Sequence, residues 1–191
     1  MPSGRHGTSP AMRRITLITT GGTIEKTYDE QSGELSNRHS LVRRMLGELR
    51  LQETEVNVHE LMSKDSLHMD EGDRDRVVAA VRVAGAVEQT PDSGTGVVIL
   101  HGTDTLEQTG ERLQRDLGEQ LAMPVVLTGA WRPFEMKRSD ALQNLTEALF
   151  ATGVLPPGVY SVAHGRALRF PGVIKDRDLK TFVRAPIHPR R

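Results

Sequence analysis

Residues 14–24, RITLITTGGTI, decide the fold because they join the pattern of a buried strand to a sharp turn. A nearly continuous apolar and β-branched run is typical of a strand that is covered on both faces. Gly21 and Gly22 allow the backbone to turn sharply and a ligand to come close. Thr23 is therefore expected just past the carboxyl end of a parallel strand, which is where open α/β sheets bind ligands.

A second stretch, residues 97–105 (VVILHGTDT), repeats this design. A short apolar strand is again followed by a glycine and a threonine. Gly-Thr after one strand is often only a turn, but two such loops predict that Thr23 and Thr103 lie side by side at one sheet edge. Asp104 would add a carboxylate there.

The rest of the chain alternates strand patterns with helical patterns. Strands are predicted at 55–61, 97–100 and 124–128, and a hairpin of 159–163 with 166–170 is predicted to turn at 164–165. Helices are predicted after Ser40, over 70–88, from Leu106 to Leu121 and after Ser139 or Asp140. The predicted fold is α/β: an open, mostly parallel sheet with helices on both faces, of the three-layer Rossmann or flavodoxin-like kind, with a C-terminal β-hairpin and no second domain.

Length and composition set the expected organisation. One domain, residues 14–184, is expected between a disordered leader at 1–13 and a linker-like tail at 185–191. A basic RNA-binding arm is the alternative interpretation of the leader. Lys plus Arg and Asp plus Glu both number 25, so the chain lacks the basic excess of a nucleic-acid platform. We therefore expect no nucleic-acid partner. No apolar run approaches the roughly 18 residues of a membrane span, so we expect no membrane partner either.

The residues predict no metal and no cofactor. There is no cysteine, and the seven histidines are scattered without ligand spacing. The chain contains neither a phosphate-binding loop nor the spacing of a dinucleotide fingerprint. His101, which precedes the second Gly-Thr loop, is interpreted as a structural histidine rather than as a general base.

The remaining candidates for catalysis are the hydroxyl groups of the threonines in the two Gly-Thr loops. A neutral hydroxyl is a weak nucleophile that needs a base within hydrogen-bond reach and donors for an oxyanion. A lysine oriented by Asp104 can be that base, and the candidates are Lys64, Lys137, Lys175 and Lys180. Residues 171–174 (PGVI) form an apolar approach to Lys175, but composition alone does not decide among the four.

Two polar segments follow strand ends. Residues 24–37 have no periodicity and are predicted to form a loop that acts as a lid. Tyr28, its only aromatic residue, either anchors the loop or closes over a ligand. Residues 62–66 (MSKDS) are predicted to form a second loop, which either binds a ligand or caps the next helix.

Four segments together resemble the bacterial-type L-asparaginases. They are 20–24 (TGGTI), 62–66 (MSKDS), 101–105 (HGTDT) and 126–133 (VLTGAWRP), and the resemblance runs from Ile15 to Phe182. It implies hydrolysis of L-asparagine to L-aspartate and ammonia without a cofactor. The alternatives are a glutaminase-asparaginase of broad specificity and a non-catalytic amino-acid-binding domain. The amidase part of a tRNA-dependent amidotransferase is less favoured, because the charge is balanced and domains are missing.

The resemblance also implies residue roles. Thr23 matches the nucleophile and Tyr28 the lid tyrosine that assists it, while Thr103, Asp104 and Lys175 match a second triad. The division of nucleophile and base duties between the two threonines stays open. Substrate contacts are expected from five residues: Gly22, Ser63, Lys64, Asp104 and Ala130.

Members of the family carry a second, smaller domain, whose acidic residue completes the site of a neighbouring subunit. We expect this sequence, which stops near the inter-domain linker, to be either a natural short form or a fragment. Glu25 and Glu135 are hypothetical substitutes for that acidic residue. We expect a homodimer or homotetramer that buries the edge of the site. Charges in residues 24–26 favour the cytoplasmic branch over the secreted one.

Overall fold

The computed structural model describes residues 12–87 and 94–186. Ten strands and four helices are present in these ranges. The strands are β1 (Arg13–Gly21), β2 (Thr27–Tyr28), β3 (Leu35–Ser36), β4 (Thr54–Lys64), β5 (Gly96–Leu100), β6 (Pro124–Thr128), β7 (Gly158–Ala163), β8 (Arg166–Arg169), β9 (Val173–Asp176) and β10 (Thr181–Arg184). The helices are α1 (Val42–Gly47), α2 (Glu71–Val83), α3 (Leu106–Leu117) and α4 (Ala141–Ala151).

Six strands form the main sheet in the order β4-β1-β5-β6-β7-β8. The first five are parallel, and β8 returns antiparallel to β7. In register, Ile18 lies beside Ile99 and Leu100 beside Thr128. The carboxyl ends of β1, β5 and β6 therefore meet at one edge, as predicted.

Two apolar layers, one on each face of the sheet, bury its central strands. Ile18 and Ile99 pack in one cluster with Val77 of α2 and Leu113 of α3. Ile15, Leu17, Val98 and Leu100 pack in the other with Met45 of α1 and Leu145 of α4. This confirms the predicted three-layer α/β fold.

The hairpin predicted to turn at 164–165 is confirmed as β7 and β8. A second hairpin, β9 with β10, follows it and forms its own two-stranded sheet. The predicted leader lies outside the described residues except for Met12 and for Arg13, which already belongs to β1. Of the predicted tail, 187–191 lie outside them.

Several predicted boundaries were wrong. Strand β4 runs on to Lys64, so Met62, Ser63 and Lys64 belong to a strand rather than to a loop. The predicted lid loop contains a short hairpin of β2 and β3. Helix α1 starts after Leu41 rather than directly after Ser40, α2 ends at Val83, and α3 ends at Leu117.

Candidate active site

The two Gly-Thr loops touch through their backbones. Gly22 has a φ of 80°, and a Cβ built on it would lie 2.5 Å from both the N and the Cα of Gly102. Its N–H donates to the carbonyl of Lys64 at 2.9 Å. Only glycine fits here, both in conformation and in space. Thr23 and Thr103, one residue further along in each loop, therefore belong to adjoining loops at the same edge of the sheet.

Three residues predicted from the sequence come together in a hydrogen-bonded triad. Lys175 Nζ donates to Thr103 Oγ1 at 2.7 Å and to Asp104 Oδ1 at 3.0 Å. Thr103 is 4% exposed, and the Lys175 side chain is 10% exposed. Of the four candidate lysines, Lys175 is the one that reaches the second threonine.

Helix α3 fixes the strand that carries Lys175. The backbone N–H of Lys175 donates to Glu107 Oε2 at 2.7 Å, and that of Gly172 donates to Glu111 Oε1 at 2.6 Å. Charge-assisted hydrogen bonds of this kind are about twice as strong as neutral ones. The helix that begins after Thr103 and Asp104 therefore also anchors β9, which keeps the triad together.

Thr23 opens a single 3-10 turn, Thr23–Glu25, and is half-buried. The lid follows directly, and Lys26 Nζ ties its base to Asp65 Oδ2 at 2.7 Å. Tyr28 on β2 is 60% exposed. Within residues 12–87 and 94–186 no hydrogen bond joins Tyr28 to either threonine, so the structure does not bring the lid tyrosine into the triad.

Ser63 and Lys64, the predicted substrate contacts on β4, form hydrogen bonds to other parts of the chain. Ser63 is exposed, and its hydroxyl donates to the carbonyl of Asn37 at 3.4 Å. Lys64 Nζ pairs with Asp73 Oδ2 at 2.6 Å. This hydrogen bond from Lys64 lowers the pKa of the Asp73 carboxyl. The ammonium of Lys64 thus stabilises the start of α2.

The loop after β6 is held from behind by α4. Asn144 Nδ2 donates to the carbonyl of Gly129 at 2.8 Å, and Asp140 accepts the N–H groups of Trp131 and Arg132 at 3.0–3.1 Å. Burial alone would raise the pKa of Asp140, but these N–H groups and the His164 imidazole lower it overall. Ala130, the predicted acceptor for the substrate amide, is buried between these anchored residues.

Sequence reasoning missed Arg177, whose Nη2 donates to Asp104 Oδ1 at 3.0 Å. Asp104 therefore contacts two cations. Arg177 lies in the turn between β9 and β10, and no pattern in the chain marks a turn residue as a partner for a loop 73 positions earlier.

His101 fits the structural role. It is fully buried, Nδ1–H donates to the carbonyl of Gly102 at 2.8 Å, and Nε2 accepts from the Thr109 hydroxyl at 2.8 Å. Burial lowers the pKa of His101 to about 4, so the ring is neutral at pH 7.

The two hypothetical substitute carboxylates are occupied elsewhere. Glu25 is buried and accepts a hydrogen bond from the Ser40 hydroxyl. Glu135 pairs with Arg44 at 3.0 Å. In the part of the chain that the structure describes, no group of three His, Cys, Asp or Glu side chains is placed to hold a metal ion, and no helix there is long and apolar enough to cross a bilayer.

The mostly parallel sheet, with its edge of loops after β1, β5 and β6, defines an open α/β domain. Residues 14–182 match the family model described as asparaginase, N-terminal, and the chain belongs to that family.

Curated relatives carry two different names. A glutamyl-tRNA(Gln) amidotransferase subunit from Methanococcus vannielii is 27% identical over 162 residues, which are 82% of this chain and 35% of the relative. The L-asparaginase of Thermococcus kodakarensis is 29% identical over 147 residues, 77% of this chain and 43% of the relative. The chain thus spans less than half the length of these relatives.

Solved structures share the fold. L-asparaginase I of Vibrio cholerae superposes with a TM-score of 0.75 at 24% identity, over 93% of this chain and 55% of that one. A probable cytoplasmic L-asparaginase of Campylobacter jejuni gives 0.64 at 26% identity, over 85% and 48%.

Proposed function

We propose that this chain hydrolyses the side-chain amide of L-asparagine to give L-aspartate and ammonia. One observation carries the proposal: the Thr103 hydroxyl accepts a hydrogen bond from Lys175, which Asp104 orients, next to the loop of Thr23. A hydroxyl, a base and an orienting carboxylate are the parts that nucleophilic amide hydrolysis needs.

The chemistry follows from these groups. As a threonine Oγ bonds to the amide carbon, its proton passes to a base, for which unprotonated Lys175 is suited. The C–N bond then breaks, and ammonia leaves with the proton that the base returns. Water hydrolyses the threonyl ester and restores the hydroxyl. We assign the first attack to Thr23 and the base triad to Thr103, Asp104 and Lys175, so the proton of Thr23 would pass to Lys175 by way of the Thr103 hydroxyl or of a water between the two threonines.

The substrate is a zwitterion, so its α-ammonium needs an anionic partner and its α-carboxylate needs hydrogen-bond donors. Asp104 would bind the α-ammonium, Ser63 and the backbone at Gly22 the α-carboxylate, and the carbonyl of Ala130 the amide nitrogen. Lys64 would have to leave Asp73 to take part, so we give it the weakest role. Tyr28 would assist Thr23 only after the lid moves it from its exposed position.

The names of the relatives favour a second candidate. Several are glutamyl-tRNA(Gln) amidotransferase subunits, one of which, from Aeropyrum pernix, is 32% identical over 159 residues. The same triad would then release ammonia within a complex that acts on tRNA. The zero formal net charge argues against direct tRNA binding by this chain alone.

The proposal also covers the domain bounds, the oligomeric state and the location in the cell. We propose a domain spanning 14–184, a homodimer or homotetramer, and a cytoplasmic location, the last supported by the name of the Campylobacter relative. Light scattering at micromolar concentration tests the oligomer, and a monomer would contradict it.

Ammonia release from L-asparagine and L-glutamine tests the function. We expect turnover of asparagine. One methylene in a pocket is worth only about 1–3 kcal/mol, so glutamine is expected to be the poorer substrate by about 10- to 200-fold. A chain that binds aspartate but releases no ammonia from either amide would be an amino-acid-binding domain. Release that requires added glutamyl-tRNA(Gln) and its complex would favour the second candidate.

A further inference from the structure

The catalytic lysine of the proposed function lies over an aromatic ring. Lys175 Nζ is 5.1 Å from the centroid of the Trp131 ring. An ammonium within about 6 Å of an indole face is attracted by the ring quadrupole. The Lys175 side chain is mostly buried, so water screens this attraction weakly.

The indole itself is held on several sides. Asp140 accepts the backbone N–H of Trp131 at 3.0 Å, and the rings of His164 and Phe182 lie 5.1 and 5.2 Å from the indole, centroid to centroid. Phe182 is also the residue of β10 that pairs with Lys175 in the β9–β10 hairpin. Trp131 thus joins the loop after β6 to the strand that carries the lysine.

His164 is fixed in turn. Its Nε2–H donates to Asp140 Oδ2 at 2.9 Å, and Nδ1 lies 3.2 Å from the Thr181 hydroxyl. Its backbone N–H donates to Asn144 Oδ1 at 3.1 Å. Asp140 and Asn144 therefore hold His164 in place, and the His164 and Phe182 rings pack against the indole.

We infer that Trp131 is a positioning residue: its ring face holds the Lys175 side chain at the Thr103 hydroxyl as a resting ammonium, which gives up a proton before it acts as the base. The inference rests on the proposed function only in making Lys175 the base. Thr103 and Asp104 contact Lys175 Nζ, whereas Glu107 and the pairing of β9 with β10 hold the Lys175 backbone. Without the ring, the ammonium can leave Thr103 while the backbone stays in place.

Kinetics of two ring variants test the positioning role. Trp131→Leu is expected to lower kcat about 10-fold with KM changed less than about twofold, because a lysine that is no longer held at the Thr103 hydroxyl transfers the proton less efficiently. Trp131→Phe, which keeps a ring, is expected to retain at least about a third of wild-type kcat. Equal losses for Phe and Leu, or full kcat for Leu, would overturn the inference.

Stability gives a readout that does not depend on activity. Trp131→Leu is expected to lower Tm by about 2 °C more in the wild type than in the Lys175→Met background, because only the wild type has the contact to lose. Equal shifts in the two backgrounds would overturn the contact even in a chain that releases no ammonia.

The emission of the ring adds a spectroscopic check, since Trp131 is the only tryptophan in the chain. Lys175→Met is expected to shift the emission maximum. Lys180→Met, at an exposed position of the same hairpin, is the matched control and is expected to leave it unchanged. Unchanged emission in both variants would contradict the inference, whereas a wild type that releases no ammonia but shows the shifted spectrum on Lys175→Met would contradict the proposed function alone.

Discussion

Gly22 and Gly102 touch so closely that a methyl group on Gly22 would lie 2.5 Å from the Cα of Gly102. This contact joins the two threonine loops, which are far apart in sequence. It exists because β1 and β5 are parallel neighbours whose carboxyl ends coincide. The site therefore depends on two glycines as much as on the threonines that follow them.

Gly22→Ala is expected to destabilise the fold more than Gly165→Ala. Both glycines have a similar positive φ, 80° and 73°, but nothing lies within 4 Å of a Cβ at Gly165. The conformational strain of about 1 kcal/mol is shared, while overpacking adds roughly 1–3 kcal/mol at Gly22. Urea unfolding of the two variants measures the difference. Equal free energies of unfolding would show that the backbone contact is not tight.

Lys175→Met is expected to lower kcat for asparagine by at least about 100-fold, the usual contribution of a general base. KM is expected to change little, because the proposed substrate contacts lie on other residues. The matched control Lys180→Met should leave kcat within about twofold of wild type. Retained kcat in Lys175→Met would remove this lysine from the mechanism.

Acid unfolding is expected to depend on Asp140. Its folded pKa is lower than the ordinary value of 3.8, so its stabilisation is complete above that pH and is lost as the pH falls through the folded pKa. Asp140→Asn should therefore lose less stability below about pH 4 than wild type. Asp178→Asn, at an exposed position, is the control. Parallel curves for wild type and Asp140→Asn would contradict the lowered pKa.

Glu25 is expected to change stability with pH in the opposite direction to Asp140. Burial, opposed by the Ser40 hydroxyl, raises the pKa of Glu25 above its ordinary value of 4.5, and repulsion from Glu60 acts in the same direction as burial. Stability is then lost as the pH rises from 4.5 through the folded pKa. Glu25→Gln should flatten that decline and raise Tm at neutral pH. The control is Glu30→Gln in the exposed part of the lid. The prediction would be refuted if the Tm values of wild type and of Glu25→Gln changed equally as the pH rises above 4.5.

The sequence predicted the sheet because its central strands are continuous apolar runs, such as 97–100, that only a doubly covered sheet can bury. It predicted the second triad because its residues follow strand ends or match a known family. It missed the end of β4, since pairing of Lys64 with Gly21 across a β-bulge is a tertiary effect. The contact of Arg177 with Asp104 and that of Lys64 with Asp73 were missed for the same reason: the contacts of long side chains depend on the tertiary structure.

Ammonia release from L-asparagine by wild type, Thr23→Ala and Thr103→Ala tests the central claim most directly. Two cooperating hydroxyls predict that each alanine variant loses at least about 100-fold in kcat, that the corresponding serine variants recover part of it, and that Thr146→Ala on α4 changes nothing. If either alanine variant kept wild-type kcat, the two-threonine site would be contradicted.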